Sequence, residues 1–375
     1  MEKWGITESP LGWWYEQIFK TNIILENIQT CYKWTKKQLQ QFDLIIVDEI
    51  HVIANEYSAF ITIARKLGIP CIGLTATPDK SNEFKRNVLY KMLPILIEYH
   101  SAEKDGLINK VNYIIYEHEL SNDYKVLTGN KTNKWYIGEK AQYEYLTEKY
   151  NYAKKLMFEQ VASDYWNNAL VWMKTGNPSQ KKAGTEFFRA VNNRKNFLWN
   201  LTSTAEIAIR VKHKLLSPFN TVKEGDLSLS WIPNPAWGES IKNNKVLLFS
   251  ELTPQASKLS SNVIHSNVGK TTKITQQLNE ETLRKFNAGE IRDLASVKSL
   301  TLGLNMIGVN WAIFESYSGS DVQGSQKKGR LHRLSVDEMA NVIIIVVKGT
   351  QYESWFNNAF PFVKNPRIIR SVDEL

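Results

Sequence analysis

The stretch Phe42-Asp-Leu-Ile-Ile-Val-Asp-Glu-Ile-His51 constrains this chain more than any other. Its apolar residues run almost without interruption, the pattern of a strand covered on both faces in a parallel sheet rather than of a half-exposed, alternating one. Asp48 and Glu49 then fall at the carboxyl end of that strand, where open α/β sheets place their ligand crevices. A carboxylate there can hold Mg²⁺, and its neighbour can orient or deprotonate a water. Alone, the pair reads equally well as surface carboxylates after a core strand, and only the motifs downstream of it decide between the two.

The rest of the chain repeats that grammar twice. Helical patterns at 11–20 and 32–41, a short strand at 22–28, an amphipathic helix at 57–67 stopped by Gly68-Ile-Pro70, and a strand at 71–74 leading into Thr75-Ala-Thr-Pro78 describe alternating strands and helices. A strand at 111–117 completes a first α/β unit over residues 1–120. From Ser121 the pattern becomes long, charge-rich and helically periodic, with helices expected across 143–172 and 185–216 and a Pro/Gly/Asn linker at 217–240. Strand signals resume at 246–250, 262–265, 293–297, 309–316 and 341–347, with a helix at 275–287. The expected fold class is therefore α/β: two parallel-sheet units, 1–120 and 242–375, with a mainly helical insertion over 121–241.

Length and composition agree, since 375 residues accommodate two domains and an insertion at roughly 150 residues per domain. No apolar run reaches membrane-spanning length, no secretory leader is visible, and Cys31 and Cys71 lie in apolar surroundings without metal-ligand spacing. These features predict reduced thiols and a cytoplasmic protein with no membrane partner. The formal net charge is +9. Residues 121–240 carry 17 Lys/Arg against 11 Asp/Glu, a net of +6, so a polyanionic partner is expected there. Within it, Phe187-Phe-Arg-Ala-Val-Asn-Asn-Arg-Lys195 combines rings with positive charge, which makes Arg189, Arg194 and Lys195 the candidates for a nucleic-acid strand. Six tryptophans fall in the same region (135, 166, 172, 199, 231 and 237). Exposed rings beside lysines can stack on bases, but core packing accounts for most of them.

Each α/β half places polar residues just after an apolar strand. In the first these are Asp48-Glu-Ile-His51 and Thr75-Ala-Thr77; in the second, Gly303-Leu-Asn305 and Gln326-Lys-Lys-Gly-Arg330-Leu-His-Arg333. Two arginines three apart on a helix start project to one side and can stabilise charge on a transferring phosphoryl group. The four motifs, in this order and with 23 residues between His51 and Thr75 and 20 between Asn305 and Gln326, resemble superfamily 2 DEAD/DEAH-type helicases and translocases. They are closer to the DNA-acting branches than to RNA DEAD-box proteins, and similar to small phage helicases, which would place the protein in a host cytoplasm. The resemblance implies two RecA-like domains with ATP between them and a DNA strand crossing both. It assigns Asp48 to Mg²⁺ and Glu49 to the attacking water. His51, Thr75 and Thr77 would couple nucleotide to nucleic acid, and Gln326, Gly303 and Asn305 would contact nucleotide. Arg330 and Arg333 would reach the phosphates, and Thr30 and Ser250 the strand. Asn305 departs from the family, which often has Asp at that place.

The family also carries Gly-x-x-x-x-Gly-Lys-[Ser/Thr] upstream of the Asp-Glu pair, because backbone amides and a lysine must cradle the phosphates. Nothing before Asp48 supplies it. Gly269-Lys-Thr271 lacks its first glycine, since position 264 is Ile, so a solvated or nucleic-acid-facing loop is expected there. Three readings fit these motifs: an ATP-dependent DNA helicase core, a non-hydrolysing nucleic-acid-binding subunit on the same scaffold, or an amino-terminally truncated half that a second polypeptide completes with the phosphate-binding loop.

Overall fold

A computed structural model describes residues 24, 26, 28–31, 33–48, 50, 55–74, 93, 109–129, 132–160, 165–216, 244–297, 306–319, 334 and 337–375. The chain divides into two compact units, Met1–Tyr99 and His100–Leu375. No described helix is long and apolar enough to cross a membrane.

In the first unit, α1 (Ile28–Cys31) and α2 (Lys36–Leu39) precede β1 (Ile45–Val47), α3 (Asn55–Lys66) and β2 (Cys71–Gly73). Helix α1 begins where the sequence pattern ends a strand. The helix expected over 32–41 starts only at Lys36, because Thr35 and Gln38 form a reciprocal capping box there. Strands β1 and β2 run parallel, with Ile45 opposite Cys71, Ile46 opposite Ile72 and Val47 opposite Gly73. One face packs with Leu39, Ile50, Phe60, Ile61, Ala64 and Ile69 into a small core. The other does not. Leu44, Ile46, Ile72 and Leu74 are 44, 58, 47 and 50% exposed, so the double burial expected of this strand is absent among the described residues.

The second unit is built on a seven-stranded, all-parallel sheet. Its elements in chain order begin with β3 (Lys110–Glu119) and a hairpin of β4 (Lys125–Gly129) and β5 (Lys134–Gly138). Four helices come next: α4 (Glu139–Gln160), α5 (Tyr165–Thr175), α6 (Pro178–Leu198) and α7 (Thr202–Leu216). Then come β6 (Val246–Phe249), α8 (Thr253–Leu259), β7 (Val263–Ile264), α9 (Thr272–Ala288), β8 (Asp293–Ser296), β9 (Trp311–Phe314), β10 (Met339–Lys348), α10 (Gln351–Ala359) and β11 (Arg367–Ile369). The strand order is β11-β3-β10-β9-β6-β8-β7.

Placement of β3 corrects one expectation. Instead of closing the first unit's alternation, β3 pairs along its whole length with β10, from Lys110–Met339 to Glu119–Lys348. The apolar runs of β6, β9 and β10 alternate between two cores. Leu247, Phe249, Phe314, Val342 and Ile344 pack with Phe286, Trp199, Tyr352 and Trp355 on one face. Val246, Leu248, Ile313, Ile343 and Ile345 pack with Ala208, Val211, Leu215, Ala256 and Leu259 on the other. Covered on both faces, such strands read as continuous apolar stretches.

The helical insertion has its own small core of Ala153, Met157, Ala169 and Phe187. Trp166 closes it edge-on against Phe188 at 4.9 Å. Asn177 and Gln180 form a capping box with Pro178 in the first turn, which explains where α6 starts. Glu139, fully buried, reaches across to α7 and accepts the backbone N–H of Thr202 at 2.6 Å and that of Ser203 at 3.3 Å. The insertion is thereby fastened to a helix lying on the sheet.

Candidate nucleotide and nucleic-acid site

The first unit brings Asp48 and Leu74, the residue before the second motif, to one edge. The N–H of Leu74 donates to the Val47 carbonyl at 2.9 Å, and that of Ile50 donates to the Leu74 carbonyl at 3.0 Å. The chain leaving β1 is thus laced to the chain leaving β2, and Asp48 and the residue before Thr75 sit at neighbouring carboxyl ends. Gly73 is needed for that approach: a Cβ there would come within 2.8 Å of Ile50 and 2.7 Å of Leu93. Asp48 is exposed, as an ion-binding carboxylate at a crevice must be. Thr30, on α1, is exposed as well. Glu49, His51, Thr75 and Thr77 lie outside the described residues. No group of three or more His, Cys, Asp or Glu able to hold a metal occurs among the described residues.

In the second unit the carboxyl ends of β6 and β9 carry a buried polar network. Ser250 is 1% exposed and its Oγ lies 3.3 Å from Ser316 Oγ. The N–H of Glu251 donates to Ser316 Oγ at 2.9 Å, and that hydroxyl donates to Glu315 Oε2 at 2.6 Å. Gln255 Nε2 donates to Glu315 Oε1 at 3.2 Å and to the Leu201 carbonyl at 2.7 Å. Complete burial pushes the Glu315 carboxyl up to about 7, against the opposing pull of hydrogen bonds from Ser316 and Gln255. The network holds the point at which the chain leaves β9 toward Gln326, Arg330 and Arg333, which lie outside the described residues, as do Gly303 and Asn305. Ser250, expected to face a nucleic-acid strand, is turned inward. Sequence reasoning misses Glu315, Ser316 and Gln255; the only signal is an ionisable residue directly after the apolar Trp-Ala-Ile-Phe.

The three cations expected to contact a strand separate. Arg194 is half-buried: its guanidinium stacks 3.9 Å above the Tyr150 ring and donates to Gln351 Oε1 at 3.0 Å. Lys195 sits 5.0 Å over the Trp199 ring. Arg189 points outward from α6 and is exposed. Phe187, from the same run, is fully buried. Gly269 hands its N–H to Thr275 Oγ1 at 3.0 Å, so that amide is already used within its own loop, and Thr271 caps α9.

Residues 14–80 match the family described as type III restriction enzyme, res subunit, and residues 232–335 match the helicase conserved C-terminal domain. Among characterised proteins the chain is similar to the DNA 3'-5' translocase XPB2 of Sulfurisphaera tokodaii, 25% identical over 312 residues that cover 83% of this chain and 60% of that protein. It therefore spans less than two thirds of the length of that relative. Among solved structures, the Hef helicase domain of Pyrococcus furiosus aligns with a TM-score of 0.45 at 17% identity, over 88% of this chain and 76% of that one.

Proposed function

We propose that this chain, whose residues 14–80 and 232–335 match the type III restriction enzyme res-subunit and helicase C-terminal family models, is the motor core of a superfamily 2 DNA translocase that couples ATP hydrolysis to movement along, or unwinding of, nucleic acid. The observation that supports the reading is the lacing of Val47, Leu74 and Ile50, which sets Asp48 beside Leu74, the residue that leads into Thr75-Ala-Thr77. Asp48 suits Mg²⁺, a hard cation that takes one or two carboxylates and fills its shell with water and phosphate oxygens. ATP supplies the transferable phosphoryl group. Glu49 would orient or deprotonate the attacking water, and Arg330 and Arg333 would balance charge on the phosphoryl oxygens. His51, Thr75 and Thr77 would pass the nucleotide state to the strand, with Gly303, Asn305 and Gln326 contacting nucleotide. DNA is favoured over RNA by the activity for which the translocase relative is named.

The apolar face of β1 and β2 supports a second element of this reading. Hydrolysis needs a phosphate cradle, and no Gly-x-x-x-x-Gly-Lys-[Ser/Thr] occurs in these 375 residues. Parallel sheets are normally covered on both faces, and Leu44, Ile46, Ile72 and Leu74 are exposed. That face would seat the layer carrying the phosphate-binding loop, supplied from outside these residues. Burial of the exposed half of Ile46 and of Ile72 would contribute about 1 kcal/mol each. A non-hydrolysing nucleic-acid-binding subunit is the competing reading.

The test is DNA-stimulated ATP hydrolysis, measured on this chain alone and mixed with a polypeptide carrying the phosphate loop. The motor reading expects hydrolysis in the mixture that Glu49→Gln abolishes. Hydrolysis surviving that change would remove the catalytic assignment. DNA binding without hydrolysis in either sample would leave the binding subunit.

A further inference from the structure

The hairpin of β4 and β5 has no role in the motor reading, and it exposes three large side chains on a short ribbon. Its ladder pairs Leu127 with Tyr136, Thr128 with Trp135, Val126 with Ile137, Lys125 with Gly138 and Gly129 with Lys134. Opposed residues share a face and alternate along each strand. One face therefore carries Lys125, Leu127, Tyr136 and Lys134, and the other carries Trp135 opposite Thr128, beside the half-buried pair Val126 and Ile137. Tyr136 is 71%, Leu127 55% and Trp135 54% exposed. Between residues 124 and 138 the chain has three lysines, 125, 131 and 134, and no acidic residue.

The root of this hairpin is firmly held. The Glu139 N–H donates to the Tyr124 carbonyl at 2.9 Å, the Lys140 N–H to the Ser121 carbonyl at 3.2 Å, and the Ala141 N–H to Asn122 Oδ1 at 3.1 Å. A Cβ at Gly138 would fall 2.1 Å from Asn122 Oδ1, so the end of β5 packs tightly against the turn before β4. The hairpin thus springs from the first turn of α4, whose Glu139 is itself fastened to α7. A two-stranded ribbon is at best marginal in water. Anchored at the root, this one can hold the exposed Tyr136 ring in a fixed position, which is what a stacking platform requires and what a flexible loop cannot offer.

We propose that the β4–β5 hairpin is a binding platform for single-stranded nucleic acid, on one face of which Tyr136 stacks an unpaired base while Lys125 and Lys134, on that same face, hold the flanking phosphates. On one face, Lys134 lies two residues from Tyr136 along the same strand, about 7 Å away. Lys125 sits on the opposite strand two residues beyond Leu127, so the ring is bracketed by cations. Rings are sequence-tolerant partners because every base has a π-face, so the platform grips a strand without reading it. This inference rests on the reading that the chain binds nucleic acid, and it assigns that binding to a surface outside the helicase motifs.

The experiment measures affinity of the full chain for a fluorescein-labelled oligothymidylate and for a blunt duplex, by anisotropy at two salt concentrations. Tyr136→Ala is expected to weaken oligothymidylate binding about ten-fold, with Tyr136→Phe restoring most of it and duplex affinity little changed, whereas Trp135→Ala, on the other face, is expected to change it little. Lys125→Gln with Lys134→Gln is expected to weaken binding and flatten its salt dependence. A light-induced crosslink from the oligonucleotide is expected in the 125–138 peptide, a readout that does not depend on a variant folding. Wild-type binding with unchanged affinity in all these variants, and no crosslink there, would overturn the platform and leave the nucleic-acid reading standing. No binding by the wild-type chain would overturn both. Concentration-dependent self-association that Tyr136→Ala abolishes, with oligonucleotide affinity unaltered, would make the hairpin a protein contact and likewise overturn the proposal.

Discussion

Glu139 accepts the Ser203 hydroxyl at 2.6 Å, across 64 residues of sequence. Its other oxygen takes the first free backbone N–H groups of α7. A helix start leaves its leading N–H groups without intrahelical partners, and here a carboxylate from a different helix satisfies two of them. That contact joins the helical insertion to the layer covering the sheet. Glu139→Ala leaves those donors buried and unmet, and is expected to cost about 2–3 kcal/mol. Urea unfolding followed by circular dichroism would show it, and a midpoint equal to the parent's would contradict the role.

One buried and one half-buried group oppose each other in their pH effects. Burial raises Glu315 to about 7 and lowers His118 to about 4. For Glu315, the folded chain keeps a proton that the unfolded chain has lost, so its contribution to stability falls between about pH 4.5 and 7 and then levels off. For His118, the unfolded chain gains a proton first, so its contribution rises between about pH 4 and 6.5. The two slopes cancel over most of that interval. Glu315→Gln, relative to the parent, should remove the falling component and His118→Gln the rising one. Unfolding free energies at pH 5 and pH 7.5 test this, and parallel profiles in all three proteins would refute it.

Arg194 and Arg189 lie five residues apart on α6 and should separate cleanly. Arg194→Ala loses the Tyr150 stack and the Gln351 hydrogen bond, and is expected to lower stability by about 1–2 kcal/mol. Arg189→Ala is expected to leave stability within about 0.5 kcal/mol while weakening DNA binding and lowering its salt slope by about one. The reverse assignment of effects would place the nucleic-acid contact on Arg194 instead.

The apolar face of β1 and β2 makes a solution prediction. Replacing Ile46 and Ile72 together with Thr should reduce binding of an apolar dye by the isolated chain, because both side chains are exposed. The same pair should weaken any complex with a polypeptide carrying the phosphate loop. Unchanged complex formation would show that the face is not the seat of that layer.

Much of the fold is legible in the residues. The uninterrupted apolar runs around Val246, Ile313 and Ile344 announce strands covered on both sides, since a parallel sheet between helices asks for no polar face. The strand ending at Val47 and the one ending at Gly73 are equally plain. Sheet membership is not: Lys110–Glu119 has strand character wherever it goes, and only its ladder with Met339–Lys348 decides that it joins the larger sheet. The hairpin is hard to see in the residues because its strands have no buried face, so their alternation lacks the apolar stripe that marks a strand. Ser250, Arg189 and Arg194 share one difficulty, because residue type and spacing do not say which way a side chain turns.

The sequence by itself determined the α/β alternation, the order of the helicase motifs and the carboxylate at Asp48 just past a strand. Periodicity and local chemistry are properties of neighbours along the chain. The tertiary structure alone decided that Leu74 is laced to Val47 and Ile50, that Ser250 turns inward to Ser316, that Arg194 is spent on Tyr150 and Gln351, and that Tyr136 faces water. Those outcomes depend on contacts between residues far apart in sequence, where a pattern read along one strand carries no information about what packs across it.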